Sequence, residues 1–356
     1  MPGAAVVALV AACGAWAARR PAIDLDRTIE PPRVAKGGDA VLVVRASNRS
    51  RRPVRGLVLE QRIGPSVARV ELDRLRRRES LVRTYRLPTA DRGEFEVGPA
   101  ELVRADPFGL WRRVQLLGVP QRLVVTPRVV LLRPLPAGRS RLVEGPTSDT
   151  APQGSTTFHR LREYVVGDDL RTVHWPSTAR LGTLVVRHSV DTAQPSTVVL
   201  VDLRPSVHAA DTFEEAVDLA ATVVVVAGAG RAPVTFRTTS GVVLRAGAAA
   251  GPAAVLDWLT RAAPDGAGSL EEALAVVGRD RGVSNLVVVT GTAEPAALRA
   301  AAAAAGRYEA VVVAALTAAA LPQVAGVTTL AAPDLDRMVA AWDAAVLHRG
   351  APRWWR

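Results

Sequence analysis

The chain has 356 residues, 49% of them hydrophobic and 22% charged, which suits two domains with sizeable cores and argues against wholesale disorder. A single Cys excludes a disulfide framework and any cysteine-built zinc site. The formal charge of +11 is unevenly spread: residues 1–190 hold 32 Lys and Arg against 18 Asp and Glu, a net of +14, while residues 191–356 hold 13 against 16, a net of −3.

Residues 1–20 form a short hydrophobic N-terminal segment. Gly3–Ala18 runs for 16 residues without a charge and is followed by Arg19 and Arg20. As a helix it would reach about 24 Å, short of the roughly 30 Å hydrocarbon core of a bilayer. Four readings are open: a marginal membrane anchor with the basic flank in the cytoplasm, a cleaved signal peptide ending near Ala15-Trp16-Ala17, a lipoprotein signal at Val10-Ala11-Ala12-Cys13, and a soluble N-terminal helix. The anchor is the reading carried forward. It puts the chain at the cell membrane, with its bulk on the cytoplasmic side.

From residue 24 to 130 the pattern is of short strands rich in Val and Leu: 40–47, 54–63, 67–72, 80–87, 93–97, 100–105, 111–117 and 122–127. Turn signals such as Lys36-Gly37-Gly38-Asp39 and Asp106-Pro107-Phe108-Gly109 separate them. This spacing predicts an antiparallel β sandwich. Most of the Arg surplus alternates here with apolar residues, as in Val82-Arg83-Thr84-Tyr85-Arg86-Leu87, the mark of a solvated outer face. Residues 131–157 are rich in Pro and Gly and read as a linker. Residues 191–350 alternate strand and helix, with apolar runs at 197–201, 285–290 and 309–316 and an Ala-rich helix from Pro295 to Gly306. That order predicts a doubly wound parallel sheet. The chain closes on Trp354 and Trp355 between Arg353 and Arg356, a tail that suits either a lipid interface or a frayed end.

Between linker and α/β region, residues 158–190 hold the densest polar segment. It carries Arg162, Glu163, Tyr164, Gly167, Asp168, Asp169, Arg171, His174, Trp175, Ser177 and Arg180. Gly167-Asp168-Asp169 is a turn signal, and Arg with carboxylates at this density can form bidentate pairs that lock a junction. A hydrolytic alternative makes His174 the base, oriented by Asp168 or Asp169. No activated nucleophile accompanies it in the sequence pattern, so the expectation is a structural or partner-binding role and no catalytic residue.

The run LREYVVGDDLRTVHWPSTARLGTLVV resembles the signature of the domain-of-unknown-function 58 family, and RADPFGLWRR and LVVTPRVV agree with two further family stretches. The resemblance implies a bacterial, membrane-associated protein that pairs an immunoglobulin-like β domain with a von Willebrand factor A-like domain. Such proteins are encoded beside MoxR-type AAA+ ATPases, which implies that type of ATPase as a partner in complex or envelope assembly. The A-like comparison also implies a Mg²⁺ site with D-x-S-x-S on the first loop, a Thr on the second and an Asp on the third. Here Asp202 and Ser206 match the first loop, Arg204 replaces its middle Ser, Ser269 stands for the Thr, and Thr290-Gly291 lacks the Asp. The metal site is therefore degenerate, with no cofactor expected. Two expectations follow: Asp202 caps the next helix, or Arg204 takes a partner's carboxylate in place of the metal. A nucleic-acid binder using the Arg-rich β domain is the remaining alternative. It lacks a reading helix, and aromatics make up only 4% of the chain.

Overall fold

The computed structural model describes residues 2–18, 22–63, 66–106, 108, 110–135, 158–166, 168–190, 196–209, 211–229, 232–247, 251–278 and 283–350. Gly167, Arg19, Arg20, most of the 131–157 linker and the Trp354-Trp355 tail lie outside these residues. The chain forms two compact units, residues 1–130 with 253–263, and residues 131–252 with 264–356.

The first unit opens with α1 (Pro2–Ala18), apolar on every side. Among the described residues no helix is long and apolar enough to cross a membrane. There follow β1 (Ile23–Glu30), β2 (Arg33–Ala35), β3 (Val41–Asn48), β4 (Val54–Ile63), β5 (Ser66–Leu75), β6 (Ser80–Arg86), β7 (Gly93–Ala105), β8 (Arg112–Leu117) and β9 (Gln121–Thr126). One sheet has the order β1-β3-β6; the other has β2-β9-β7-β4-β5, with β8 paired to β7. Leu42 and Val44 of the first sheet share one core with Leu57, Leu59, Leu102 and Leu123 of the second. This is a β sandwich whose pairings are antiparallel except for β2 with β9. Two expectations need correction. Strands read separately at 93–97 and 100–105 are one strand, β7, whose first half pairs with β9 and whose second half pairs with β8. The sequence pattern also missed β1, in which Arg27 takes an inward position among Ile23 and Ile29.

The second unit begins with the polar segment: β10 (Phe158–Glu163), a 3₁₀ turn at Leu170–Thr172, α2 (Trp175–Leu181) and β11 (Val185–Val190). β10 and β11 form a two-stranded antiparallel sheet. Next come β12 (Thr197–Val201), α3 (Thr212–Ala229), β13 (Val234–Thr238), β14 (Val243–Ala246), α4 (Ala253–Arg261), α5 (Leu270–Val277), β15 (Asn285–Thr290), α6 (Pro295–Ala305), β16 (Ala310–Leu316), β17 (Thr328–Ala332) and α7 (Leu335–Gly350). Their sheet has the order β14-β13-β12-β15-β16-β17, parallel except for the edge strand β14.

Every residue of β12, β15 and β16 is buried, as Val-rich strands covered on both faces must be. Alternate residues such as Val198, Leu200, Leu286 and Val288 pack with Leu274 of α5 and Leu298 of α6. α3 and α7 pack on the same strands and on each other. Ser269 caps α5 by accepting Glu272 N–H at 3.2 Å, a Ser-x-x-Glu start. α4 belongs with the sandwich, where it packs on β7 and β9. In that unit Arg92 donates to the carbonyl of Leu259 at 2.9 Å, and Arg261 pairs with Glu94 at 3.0 Å.

Candidate functional site

After β12 the chain turns to β13 on one side and later returns to β15 on the other, so the carboxyl ends of β12 and β15 flank the topological switch point of the sheet. Open α/β sheets form their crevice there. Asp202 follows β12 and Thr290 ends β15. The Asp202 carboxylate is fully buried, with Oδ2 accepting Thr290 Oγ1–H at 3.1 Å.

Arg204 folds back onto this carboxylate. Its Nε donates to Oδ1 at 3.0 Å, its Nη2 to Oδ2 at 2.9 Å, and its backbone N–H to Oδ1 at 3.2 Å. Asp202 therefore caps a two-residue turn onto Arg204, and the expectation that it caps the next helix is corrected: α3 starts only at Thr212. Both Nη atoms of Arg204 also reach Glu294 Oε2 at 3.2 Å, just ahead of α6. Hydrogen bonds to Asp202, against the cost of burial and with Glu294 assisting, hold the guanidinium above its already high usual pKa. The second expectation for Arg204 is corrected as well. Its planar fork is already filled by two of the protein's own carboxylates, so it does not stand open to a partner's.

The surrounding loops are tightly fitted. His208 Nε2 donates to the Asp202 carbonyl at 2.7 Å, and its ring meets Phe213 edge-on. Thr239 Oγ1 accepts Leu203 N–H at 3.1 Å. A Cβ on Gly268, where φ is +75°, would stand 2.1 Å from the Thr239 carbonyl oxygen, which only glycine avoids. A Cβ on Gly291 would stand 2.1 Å from the Val207 carbonyl oxygen. That packing leaves no room for a carboxylate at the third loop. Ser206 is exposed on the 3₁₀ turn at Pro205–Val207, and Ser269 is used as a helix cap. A Mg²⁺ ion does not fit this arrangement, because Asp202 is taken by a guanidinium and the remaining hydroxyls are dispersed or committed. Among the described residues, no group of three or more His, Cys, Asp or Glu could hold a metal. Glu294 was not marked from the sequence; its place before Pro295 reads only as a helix start.

The signature segment is a second, differently built site. Arg162 at the end of β10 makes a bidentate pair with Asp168, Nη1 to Oδ2 at 2.8 Å and Nη2 to Oδ1 at 2.6 Å. The same carboxylate accepts Val165 N–H at 2.9 Å and closes the turn. Asp169 caps the 3₁₀ turn by accepting Arg171 N–H at 2.9 Å. Glu163 is exposed, and Tyr164 N–H donates to the Leu184 carbonyl at 2.8 Å. His174 caps α2. Its Nδ1 lies 2.8 Å from Ser177 Oγ and 3.3 Å from Ser177 N, and its own N–H donates to the Val185 carbonyl at 2.7 Å. His174 is thus placed by Ser177, while Asp168 is bound to Arg162 and Asp169 to Arg171 N–H, which corrects the placing of Asp168 or Asp169 behind His174 in the hydrolytic alternative. Arg171 and Arg180 are exposed on this frame. So are several large apolar side chains: Val166 at 95%, Trp175 at 66%, Leu170 and Leu181.

The search of curated proteins finds no match. Among solved structures, the chain is similar to the CARDB domain of a Pyrococcus furiosus protein in complex with di-metal ions, at 17% identity and a TM-score of 0.23, covering 30% of this chain and 88% of that one. It is similar to β-glucosidase 3B from Thermotoga neapolitana in complex with glucose at 14% identity and a TM-score of 0.17, covering 29% of this chain and 17% of the other. A putative β-galactosidase from Bacteroides fragilis matches at 13% identity and a TM-score of 0.22, over 82% of this chain and 38% of its own. These likenesses are too slight to bear on fold or activity. The family model described as Protein of unknown function DUF58 matches residues 160–345, from the signature hairpin through the parallel sheet. With more than half of its length matched, the chain belongs to the DUF58 family.

Proposed function

We propose that this protein is a non-enzymatic, membrane-associated scaffold whose signature segment docks a protein partner, the α/β region being a von Willebrand factor A-like domain. A MoxR-type AAA+ ATPase is the partner, and assembly of protein complexes or of the cell envelope is the process. The observation that carries this reading is the chemistry of residues 162–181. Bidentate pairing and two side-chain caps fix the backbone, and the frame spends that rigidity on presenting Val166, Leu170, Trp175 and Leu181 to solvent. Apolar side chains clustered on an exposed surface mark interaction sites, and a rigid Trp is a favoured anchor. The membrane part of the reading rests on α1 and on the basic N-terminal portion of the chain.

Affinity capture of a purified MoxR-type ATPase on the full chain tests the docking. Trp175→Ala is expected to weaken capture at least tenfold, and a Val166→Ala/Trp175→Ala double variant that captures as well as the wild type would remove the proposal. A hydrolase reading has one observation in its favour, the 2.8 Å contact between His174 Nδ1 and Ser177 Oγ. The same nitrogen lies near Ser177 N–H, which is how a helix cap is built. Ester or peptide hydrolysis abolished by both His174→Ala and Ser177→Ala would favour the enzyme instead. Duplex or single-strand affinity falling steeply with salt would favour the nucleic-acid alternative.

A further inference from the structure

In the sandwich unit, α1 and the segment from Phe108 to Val119 expose a series of large apolar side chains. α1 exposes Val6, Val7, Leu9 and Val10, and its side chains bear no charge. A helix that is apolar all round is stable in a large core or in lipid, not in water. It does not stand alone. Cys13 is buried, and burial, together with the Asp106 carboxylate near it, pushes its thiol pKa up. The Trp111 ring lies against Gly14, where a Cβ would sit 3.5 Å from the indole. Beyond that contact Phe108, 64% exposed, and Leu110 stand in the loop, Val114 and Leu116 on β8, and Val119, 74% exposed, just after it. Val114 and Leu116 are two residues apart on the strand and so share a face with Arg112, which pairs with Glu60 at 3.0 Å. Asp106 holds the loop at the centre of this ledge by accepting the N–H groups of Phe108, at 2.8 Å, and of Trp111.

We infer that α1 and the ledge from Phe108 to Val119 form one lipid-contacting face, with Phe108 and Leu110 entering the interface of an anionic bilayer beside the helix. This deepens, and rests on, the membrane-associated reading above. Three features favour lipid over a protein surface. At 17 residues α1 spans about 25 Å, short of the hydrocarbon core, so the helix by itself is a marginal anchor that further lipid contacts would strengthen. Trp111 joins helix to loop, and Trp rings are favoured between headgroups and chains. Arg112, paired with Glu60, and Arg113 follow it directly, and residues 1–130 hold 24 Lys and Arg against 13 Asp and Glu, a net of +11 that is drawn to anionic headgroups.

Flotation of the full chain with vesicles of phosphatidylcholine and phosphatidylglycerol tests this. The wild type is expected to float, and Phe108→Asp/Leu110→Asp to partition about tenfold or more weaker with an unchanged melting midpoint. Phe108→Trp should float like the wild type. If the Asp pair lowers the midpoint, Leu116→Asp/Val119→Asp at the far end of the ledge decides the same question. Flotation undiminished in these variants would overturn the ledge and leave α1 as the whole anchor. A wild type that stays at the bottom would overturn the ledge and the membrane reading together. So would self-association through the ledge, seen as a dimer that the Asp pair converts to monomer without any vesicle binding.

Discussion

Arg204 grips Asp202 from two sides, Nε to Oδ1 at 3.0 Å and Nη2 to Oδ2 at 2.9 Å, across the switch point of the parallel sheet. The carboxylate has no exposure, whereas Glu294, the second partner of the same guanidinium, is 48% exposed in its side chain. Taking one member from a buried pair leaves an uncompensated charge and costs about 3–5 kcal/mol, while an exposed pair is worth about 1 kcal/mol or less. Arg204→Ala is expected to reduce stability by about 3 kcal/mol or more, and Glu294→Gln by less than about 1 kcal/mol. Urea unfolding followed by circular dichroism measures both. Equal losses would mean that Asp202 does not depend on Arg204.

A buried cation also shapes the sandwich. Arg27 is 7% exposed, and its guanidinium donates to Gln61 Oε1 at 3.0 Å and to the Val119 carbonyl; burial lowers its pKa. Gly98 sits at φ +88°, where a Cβ would stand 2.1 Å from Arg27 Nη1. Gly98→Ala therefore meets both a left-handed backbone penalty of about 1–2 kcal/mol and a clash with the guanidinium. In an Arg27→Met background the clash with the guanidinium is gone, leaving the backbone penalty and a 3.0 Å approach to Gln61 Nε2. The two substitutions should couple by about 1 kcal/mol or more, and strict additivity in a double-mutant cycle would show that the guanidinium does not press on Gly98.

The parallel sheet was legible because its strands are buried on both faces: Thr197–Val201, Asn285–Thr290 and Ala310–Leu316 read as unbroken apolar runs. Helix α6 announced itself by Pro295 at its start and Gly306 at its end. β1 was hidden because Arg27 stands at an inward position of its alternation, where it fits only because Gly98 and Gly118 make room for it. The hairpin of β10 and β11 was hidden by its Arg and His content. The packing of α4 on β7 and β9 depends on partners more than a hundred residues away, which no local pattern shows. At the candidate site, the Asp-x-Arg spacing marked the place but not the outcome. Whether Arg204 reaches outward or folds onto Asp202 is decided by Glu294 and Thr290, both far along the chain.

Asp106 gives the apolar ledge a dependence on pH. Burial alone would raise its carboxyl, but hydrogen bonds from Trp111 N–H, Phe108 N–H and the Cys13 thiol prevail and hold it below its usual value. A carboxylate with a depressed folded-state pKa contributes stability that is present above the unfolded value, about 3.9, and is lost as pH falls through the folded value. Asp106→Asn lacks this contribution at every pH. The gap in melting midpoint between wild type and Asp106→Asn should therefore be open at pH 6, begin to narrow below about pH 3.9, and close only once the pH is under the folded-state value. A gap that stays constant down to pH 2 would show that the loop is held by packing rather than by the charged acceptor.

The signature segment separates its frame from its presented surface, and two substitutions should divide the two roles. Asp168 receives both Nη atoms of Arg162 and the Val165 N–H, so it ties β10 to the turn that follows. Asp168→Ala removes all three bonds from a partly exposed site, at a cost of about 1–2 kcal/mol confined to the hairpin. Trp175 is exposed at the first position of α2, and Trp175→Ala should change stability by no more than about 0.5 kcal/mol. Limited proteolysis distinguishes them: Asp168→Ala should open cleavage between residues 163 and 175, and Trp175→Ala should leave the pattern of the wild type. Both are expected to lose capture of the ATPase, the first because the surface is no longer held in shape and the second because its anchor is gone. Capture retained by Asp168→Ala despite new cleavage would mean that the partner reads the local sequence and not the ion-paired frame.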